Sequence, residues 1–267
     1  FEDNGFDSSP TDTTFKNFGG NAVMDTFEGS HQAVRVFNAG RTAAEIIEQT
    51  FDGAWSITTE GFTEPPWWLG AIYGDPSTSN PVGSQYEHSY DLANGNDPRS
   101  LRLYAPTDGF NNYYVVPGCW LVSASIDQSA DGSPEVNLTG GYASEPFEDN
   151  SLSPSVPNFS QDTYSNRDAE YIVDGTTVGR TQTASLSLET GTEGVNELGS
   201  AAMVDFVPGA FEPELTAEKI RRVGENVDFH DRFINGNQVT VQLNWDNGQS
   251  GDDKYAVEVD VTSAFPS

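Results

Sequence analysis

The chain has 267 residues, a length that allows one large β domain or two smaller ones. Acidic residues outnumber basic ones 41 to 12, and the resulting net charge of −29 disfavours binding to nucleic acid or to anionic membranes. The acids are spread along the whole chain and lysine is rare, a composition that favours a high-salt organism, such as a halophilic archaeon or its virus.

A set of landmarks appears twice in the same order, which predicts a duplication. In the first copy, residues 22–28 form a predicted strand that ends at Glu28-Gly29. Gly40 then precedes small residues, and Gly53 is followed by Ala and an aromatic residue. The matching landmarks of the second copy are Glu193-Gly194, Gly199 and Gly209.

Each copy then contains one predicted short helix. The first lies at residues 64–74, where prolines precede the apolar residues, as is common at helix starts. Its Trp68, Leu69 and Ile72 would share one face. The second helix is expected at 226–236, and both segments end in Gly, a frequent helix-terminating residue.

Each copy closes with a predicted β-hairpin, at residues 100–126 and 238–262. The turn signals are Asp108-Gly109 and Asn247-Gly248. Cys119, the only cysteine, lies in an apolar run of the first hairpin and is expected in the core, and this run is too short to span a bilayer. In the second hairpin three valines alternate with acids, as in a strand with one buried face: Val257, Val259 and Val261.

The landmarks predict two tandem domains. The first spans residues 1–148 and contains a turn-rich insertion at about 75–98. A linker rich in Ser, Pro and Asn covers 149–167, and the second domain spans 168–267.

No catalytic, cofactor or metal motif is present. The sequence has no Gly-x-Ser-x-Gly elbow, phosphate-binding loop or dinucleotide fingerprint. His31, His88 and His230 are far apart, and the acid-rich turns at 127–135 and 246–253 lack the ligand spacing of a calcium loop. Carboxylates are so abundant that any two could be proposed as the catalytic pair of a glycosidase, so their presence is no evidence for that activity. The sequence therefore predicts a protein that is not an enzyme.

These patterns resemble the tail tube, or major tail, proteins of long-tailed viruses. The resemblance implies a mainly β fold of two tandem tail-tube-type β-sandwich or split-barrel domains, each with one short helix and a long hairpin. The matching parts are an opening strand, a loop with Gly then small residues, a Gly-terminated apolar segment, a helix and a hairpin. They fall at 22–28, 40–44, 51–53, 64–73 and 100–126 in the first copy, and at 184–190, 199–204, 206–209, 227–235 and 238–262 in the second.

The resemblance also implies a structural virion protein whose rings stack into a tail tube for genome delivery. Six domains close a ring, so a chain with two copies would form trimers with pseudo-sixfold symmetry. The implied partners are other copies of the chain, a tape-measure protein, and tail terminator and tip proteins, with viral DNA passing through without specific binding. The implied location is the virion tail, after synthesis in the host cytoplasm, without a membrane partner.

Two groups of residues are predicted to serve the assembled tube. The segments Gly40–Phe51 and Gly199–Phe206 are expected to contact neighbouring domains or rings, through Gly40, Arg41, Phe51, Gly199 and Phe206. Glu258 and Asp260, which alternate with the valines, are expected to face an acidic lumen that repels the DNA backbone.

Three other readings remain open from the residues. A capsid decoration or turret protein would also be acidic, β-rich and without catalytic motifs. A secreted halophilic binding or surface-layer module would use aromatic residues such as Trp67 and Trp68 as a sugar platform, although packing is the commoner use of such residues. A hydrolase is supported only by the abundance of carboxylates.

Overall fold

The computed structural model describes the chain except residues 1–15, 38–42, 61–65, 80–85, 92–97, 107–112, 150–163, 165–166, 199, 201, 220–237, 249–254 and 265–267. The described part is mainly β, which confirms the predicted fold class.

The strands fall in the following ranges. Up to residue 149 they are β1 (Gly20–Phe37), β2 (Ala43–Glu60), β3 (Ser77–Ser79), β4 (Glu87–Ser89), β5 (Leu101–Pro106), β6 (Tyr113–Ser129), β7 (Glu135–Tyr142) and β8 (Phe147–Asp149). After residue 163 they are β9 (Ala169–Val173), β10 (Thr176–Thr177), β11 (Thr181–Glu189), β12 (Glu193–Val195), β13 (Asp205–Val207), β14 (Glu212–Lys219), β15 (Val239–Asp246) and β16 (Ala256–Ala264).

Two sheets form the body of the molecule. The larger has eight strands in the order β1-β2-β7-β6-β11-β14, with β5 and β8 also paired to β6. The smaller has four strands in the order β10-β9-β15-β16. Since β6 and β11 pair directly, strands from both sides of the predicted linker share one sheet. The division into tandem domains stays a prediction, but the two halves are not separate in their hydrogen bonding.

The core lies between the two sheets, consistent with a β-sandwich. Alternate residues of each sheet point into it, including Leu138, Leu186 and Leu243, which belong to one buried cluster. Trp245 of β15 is 1% exposed, and its Nε1 donates a 2.9 Å hydrogen bond to Oε1 of Gln128 on β6. This bond joins the smaller sheet to the larger one through the core.

The first predicted helix is present. A 3-10 turn at Trp67–Leu69 leads into α1, Gly70–Tyr73, and Gly74 ends the helix with a φ of 77°. Trp68 and Ile72 are buried and Leu69 packs against the core, so the predicted apolar face is confirmed. The second predicted helix, 226–236, lies outside the described residues.

The predicted strand ends at the two Glu-Gly landmarks are wrong. Gly29 lies inside β1, opposite Gly53 of β2. A Cβ on Gly29 would collide with the hydroxyl of Tyr142 and with Phe51, and a Cβ on Gly53 would collide with the ring of Tyr142, so both positions require glycine. In the second copy, β11 already ends at Glu189, and Gly194 belongs to the separate strand β12. These glycines permit close packing and do not terminate strands.

Both predicted hairpins are present as strand pairs. The first is β5–β6, whose predicted turn at Asp108-Gly109 lies outside the described residues. The second is β15–β16, in which Gly248 adopts a φ of 68° and its N–H donates to Asp246 Oδ1 at 2.8 Å. Because the strands pair again only at Ala256, this connection is longer than a two-residue turn.

Candidate assembly surfaces

A long two-stranded arm extends from the larger sheet. The strands β1 and β2 pair as far as Phe37 and Ala43, whereas β2 pairs with β7 only from Gly53 to Glu60. We call residues 30–37 and 43–52 the arm. The predicted loop Gly40–Phe51 is therefore mostly strand, a correction to the sequence reading. Gly40 and Arg41 lie outside the described residues.

Aromatic residues fix the base of the arm. Phe51 is 3% exposed, and its ring centre lies 5.4 Å from that of Tyr142 and 5.2 Å from that of His31. His31 Nε2 lies 3.1 Å from Glu145 Oε1, which adds a polar contact between β1 and the segment after β7. Phe51 thus contributes to the subunit's own packing, and its predicted contact with a neighbour stays a prediction.

The strands β12 and β13 form a small ribbon with exposed apolar side chains. Phe206, a predicted contact, is half-buried on β13, and Gly199 lies outside the described residues. Leu198, Val204 and Val207 are 102%, 39% and 55% exposed. Three exposed apolar side chains within ten residues make this segment a candidate contact surface. These three residues were not predicted from the sequence, although the apolar residues around Gly199 were a signal.

The acids Glu258 and Asp260 lie on the outer side of the smaller sheet. Val257 and Val259 pack against the core, so the predicted alternation along β16 is confirmed. We call this outer side the hairpin face. Gln242 Nε2 donates a 3.0 Å hydrogen bond to Asp260 Oδ1. Partial burial and the neighbouring Asp260 raise the pKa of Glu258.

The outer side of the larger sheet is covered by short polar side chains that follow the strand pairing. We call these polar positions the ladder face; the same side of the sheet also carries Val23 of β1, opposite Thr58, and Ala54 of β2, opposite Gly141. The positions are Ser56, Thr58 and Glu60 of β2; Glu135, Asn137 and Thr139 of β7; Ser123, Ser125 and Asp127 of β6; Ser185, Ser187 and Glu189 of β11; and Glu212, Glu214 and Thr216 of β14.

Hydrogen bonds connect the ladder face from strand to strand. Thr58 Oγ1 lies 2.5 Å from Asp25 Oδ2 and 2.7 Å from Asn137 Oδ1. Ser125 Oγ donates to Asp127 Oδ2 at 2.9 Å, and Ser185 Oγ donates to Asp127 Oδ1 at 2.5 Å. The bonds link five strands, from β1 to β11, and would hold the polar side chains in fixed orientations.

The sequence matches the model of the phage tail tube protein family over residues 9–264. The chain belongs to the phage tail tube protein family. No curated protein matches it. The family assignment confirms the resemblance seen in the sequence, and the match extends across both predicted copies and the linker between them.

Membership in the family makes this a structural component of the virion tail, which assembles into a tube with other tail proteins, and not an enzyme. In the described residues no group of three or more His, Cys, Asp or Glu side chains is placed to hold a metal ion. No helix of the described part is long and apolar enough to cross a membrane.

The two adjacent tryptophans do not form the open platform that a sugar-binding module would need. Trp68 is 1% exposed and belongs to the core. The ring of Trp67 packs edge-on against His88 of β4, with ring centres 4.9 Å apart, and Lys16 Nζ lies 5.2 Å from its centroid. The predicted insertion therefore includes a short ribbon, β3–β4, that covers this part of the helix.

Proposed function

We propose that this tail tube protein forms trimeric rings with pseudo-sixfold symmetry, which stack into a conduit for the viral genome. The observation that carries the proposal is the larger sheet, in which β6 and β11 pair directly so that each chain supplies one continuous stretch of wall. Its end strands, β1 and β14, each pair on one side only within the described residues. Pairing such edges between copies would close the ring and remove exposed edges.

The arm and the β12–β13 ribbon are the proposed contacts between subunits or rings. A two-stranded hairpin is only marginally stable alone, so contact with a neighbouring surface would stabilise the arm. Residues 32–47 carry Arg35 and Arg41 and a single acid, Glu45, whereas Glu48 and Asp52 lie nearer the base of the arm, in a chain with a net charge of −29. A neighbouring copy therefore offers residues 32–47 an oppositely charged surface. Phe206 of β13 lies close in sequence to the exposed Val204 and to Gly199.

An acidic lumen would let DNA pass without adhesion, because carboxylates repel the phosphate backbone. The subunit has two faces that supply such a lining. One is the hairpin face, which carries Glu258 and Asp260, the acids that the sequence predicts to face the lumen, and the other is the ladder face. The two faces belong to opposite sides of the sandwich, so one of them lines the lumen and the other faces outward.

The charge of the chain further supports a virus of a halophilic archaeon. With 41 acidic and 12 basic residues, subunits repel one another at low ionic strength. Molar salt shortens the Debye length to about 3 Å and removes most of that repulsion. We propose that the protein is made in the host cytoplasm, and that a tape-measure protein and terminator and tip proteins define the length and the ends of the tube.

Negative-stain electron microscopy of the purified protein in molar salt, with a parallel dilution into low salt, tests this function. Hollow rings or tubes with threefold subunit stoichiometry are expected in molar salt, and fewer of them in low salt. Monomers at every salt and protein concentration would contradict self-assembly and favour a capsid decoration protein. In the same assay Arg41→Glu should reduce assembly, and the charge-reversal control Arg180→Glu, at an exposed turn of the body, should not.

A further inference from the structure

We propose that the ladder face, and not the hairpin face, lines the lumen. The inference rests on the proposed tube, and it assigns the surface that would lie along the DNA. It comes from three observations: the hydrogen-bond chemistry of the ladder face, the number of strands that carry it, and what lies beside the hairpin face.

Several hydrogen-bond donors of the ladder face are used within the sheet. The hydroxyls of Ser125 and Ser185 both donate to the carboxylate of Asp127. The amide nitrogen of Asn137 lies 3.2 Å from Glu135 Oε1 and 3.4 Å from Asp127 Oδ2. Phosphate oxygens are bound through donors and basic side chains. A face that has no basic side chain at these positions, and several of whose donors are engaged by carboxylates, offers DNA little to hold.

The extent of the ladder face fits a channel wall. It belongs to a path of six strands within the larger sheet, and at about 4.8 Å per strand such a path spans roughly 25 Å. Three copies supply about eighteen strands, a number at which barrels enclose a water-filled channel. The short Ser and Thr side chains also leave that channel wide.

The hairpin face is narrower, because the smaller sheet has four strands. Both sides include apolar side chains: Ile172 lies in the row of Gln242 and Asp260, and Val23 lies opposite Thr58 beside the ladder face. Glu87 of β4 lies close enough to Glu258 to contribute to the raised pKa of that carboxyl, so the β3–β4 ribbon lies beside this face. A ribbon beside the hairpin face would narrow a lumen lined by that face.

Cysteine labelling of assembled tubes tests the assignment. The native Cys119 is fully buried on β6, and burial raises the pKa of its thiol, so it provides little background reaction. Ser187→Cys places a thiol on the ladder face, and Ala256→Cys places a control thiol on the hairpin face. Each variant is treated, as free subunits and as tubes, with a small maleimide and with a maleimide carrying a long polyethylene glycol chain.

We expect both variants to react with both reagents as free subunits. In tubes, Ser187→Cys should lose reaction with the large reagent and keep it with the small one, while Ala256→Cys keeps both. The opposite pattern would overturn the assignment and place Glu258 and Asp260 in the lumen. If Ser187→Cys in tubes reacted with neither reagent, the assignment would also be overturned, because the ladder face would then be buried between subunits.

The labelling result is separate from the test of the tube itself. If neither the variants nor the parent chain forms tubes by electron microscopy in molar salt, the proposed function fails and the lumen assignment fails with it. If tubes form and the labelling pattern is reversed, only the assignment of the face is wrong.

Discussion

At the scale of single residues, glycines opposite large aromatic rings shape the interior of the larger sheet. Gly53 lies under Tyr142, whose ring carbons would be 2.5 to 2.6 Å from an added Cβ. Gly140 of β7 lies beneath Trp55 in the same way, and Trp55 Nε1 donates a 3.0 Å hydrogen bond to the next carbonyl, that of Gly141. These glycines let buried rings lie directly on the backbone.

Replacement of Gly140 by Ala is expected to destabilise the fold by about 1–3 kcal/mol, the usual cost of overpacking. An added Cβ would collide with the carbonyl of Trp120 and lie 2.6 Å from ring atoms of Trp55. Urea denaturation measures the change in the free energy of unfolding. The matched control is Gly179→Ala, where a Cβ would meet nothing within 4 Å, and it should stay within about 0.5 kcal/mol of the parent. Equal losses in both variants would contradict the packing argument.

Replacement of Glu258 by Gln is expected to stabilise the subunit at neutral pH. The folded state raises the pKa of this carboxyl through partial burial and Asp260, so folding favours its neutral form. The stability that the neutral Glu258 carboxyl contributes is fully present below its pKa in the unfolded chain, and it is lost as the pH rises through its pKa in the folded chain. Ionised Glu258 therefore costs stability at neutral pH, and the substitution removes that cost.

Thermal unfolding in low salt measures this effect. The melting temperature of Glu258→Gln should exceed that of the parent at pH 7, and the difference should shrink when the pH falls below the usual value of 4.5. Glu214→Gln, an exposed ladder-face position, makes the same change in net charge and serves as the control. A stabilisation of Glu258→Gln that persists unchanged at acidic pH would contradict the titration argument.

At the scale of elements, the arm differs from the rest of the larger sheet. Between Gly53 and Glu60, β2 is paired with β1 on one side and with β7 on the other. Before Gly53, from Ala43 to Asp52, it pairs only with β1. The body of the sheet therefore does not depend on the arm for its hydrogen bonding. This separation suits an element whose partner is another copy of the chain.

Shortening the arm is expected to abolish assembly and leave the subunit folded. Replacing residues 34–47 with Asn-Gly joins the paired Ala33 and Glu48 through a favoured two-residue turn and retains the base of the arm. The melting temperature of the free subunit should change little, while electron microscopy in molar salt should show no tubes. Normal tubes from the shortened chain would contradict the role proposed for the arm. A large fall in melting temperature would instead show that the arm is part of the subunit's own core.

At the scale of the whole molecule, the two predicted copies share a sheet and a core. Ser185 on β11 donates to Asp127 on β6, and Trp245 on β15 donates to Gln128 on β6. Phe211, which follows the second Gly-Ala landmark, packs against Tyr73 of α1 with ring centres 5.6 Å apart. Each half therefore buries apolar surface against the other.

Separate halves are expected not to fold. A fragment of residues 168–267 exposes the buried Leu186, Leu188 and Trp245, which in the full chain lie in the shared core. Near-ultraviolet circular dichroism and limited proteolysis should report an unfolded fragment, and the same holds for residues 1–148. The control is the full chain cleaved once within 149–167, which should keep the two pieces associated. A stably folded fragment would support independent domains.

Much of the fold was predictable because its signals are local. Period-two alternation identified β16, with Val257 and Val259 inward, and prolines followed by Trp68 and Ile72 identified the helix. The strand ends at the Glu-Gly landmarks were wrong because the sequence does not show which ring lies over a glycine. Tyr142, the ring that requires Gly29 and Gly53, is far from both along the chain.

The candidate site was predictable only in part. The segment containing Gly40 and Arg41 was selected, but its strand character was missed, and the three exposed apolar residues of the ribbon were not identified. The ladder face was not predicted because no single strand contains it. Thr58, Asn137 and Ser125 are unremarkable along the chain and form one row only when β2, β7 and β6 pair.

By itself, the sequence determined the fold class, the family, the absence of enzyme motifs and the charge. These follow from composition, from residue spacing and from alternation along single strands, which decides the side on which each side chain lies. Only the tertiary structure decided which strands are neighbours. Backbone N–H and C=O groups are the same in every strand, so they do not select a partner, and the choice of partner strand depends on side-chain packing. The pairing of β6 with β11 joins the two halves and assembles the ladder face, and so it decides which surface can line a tube.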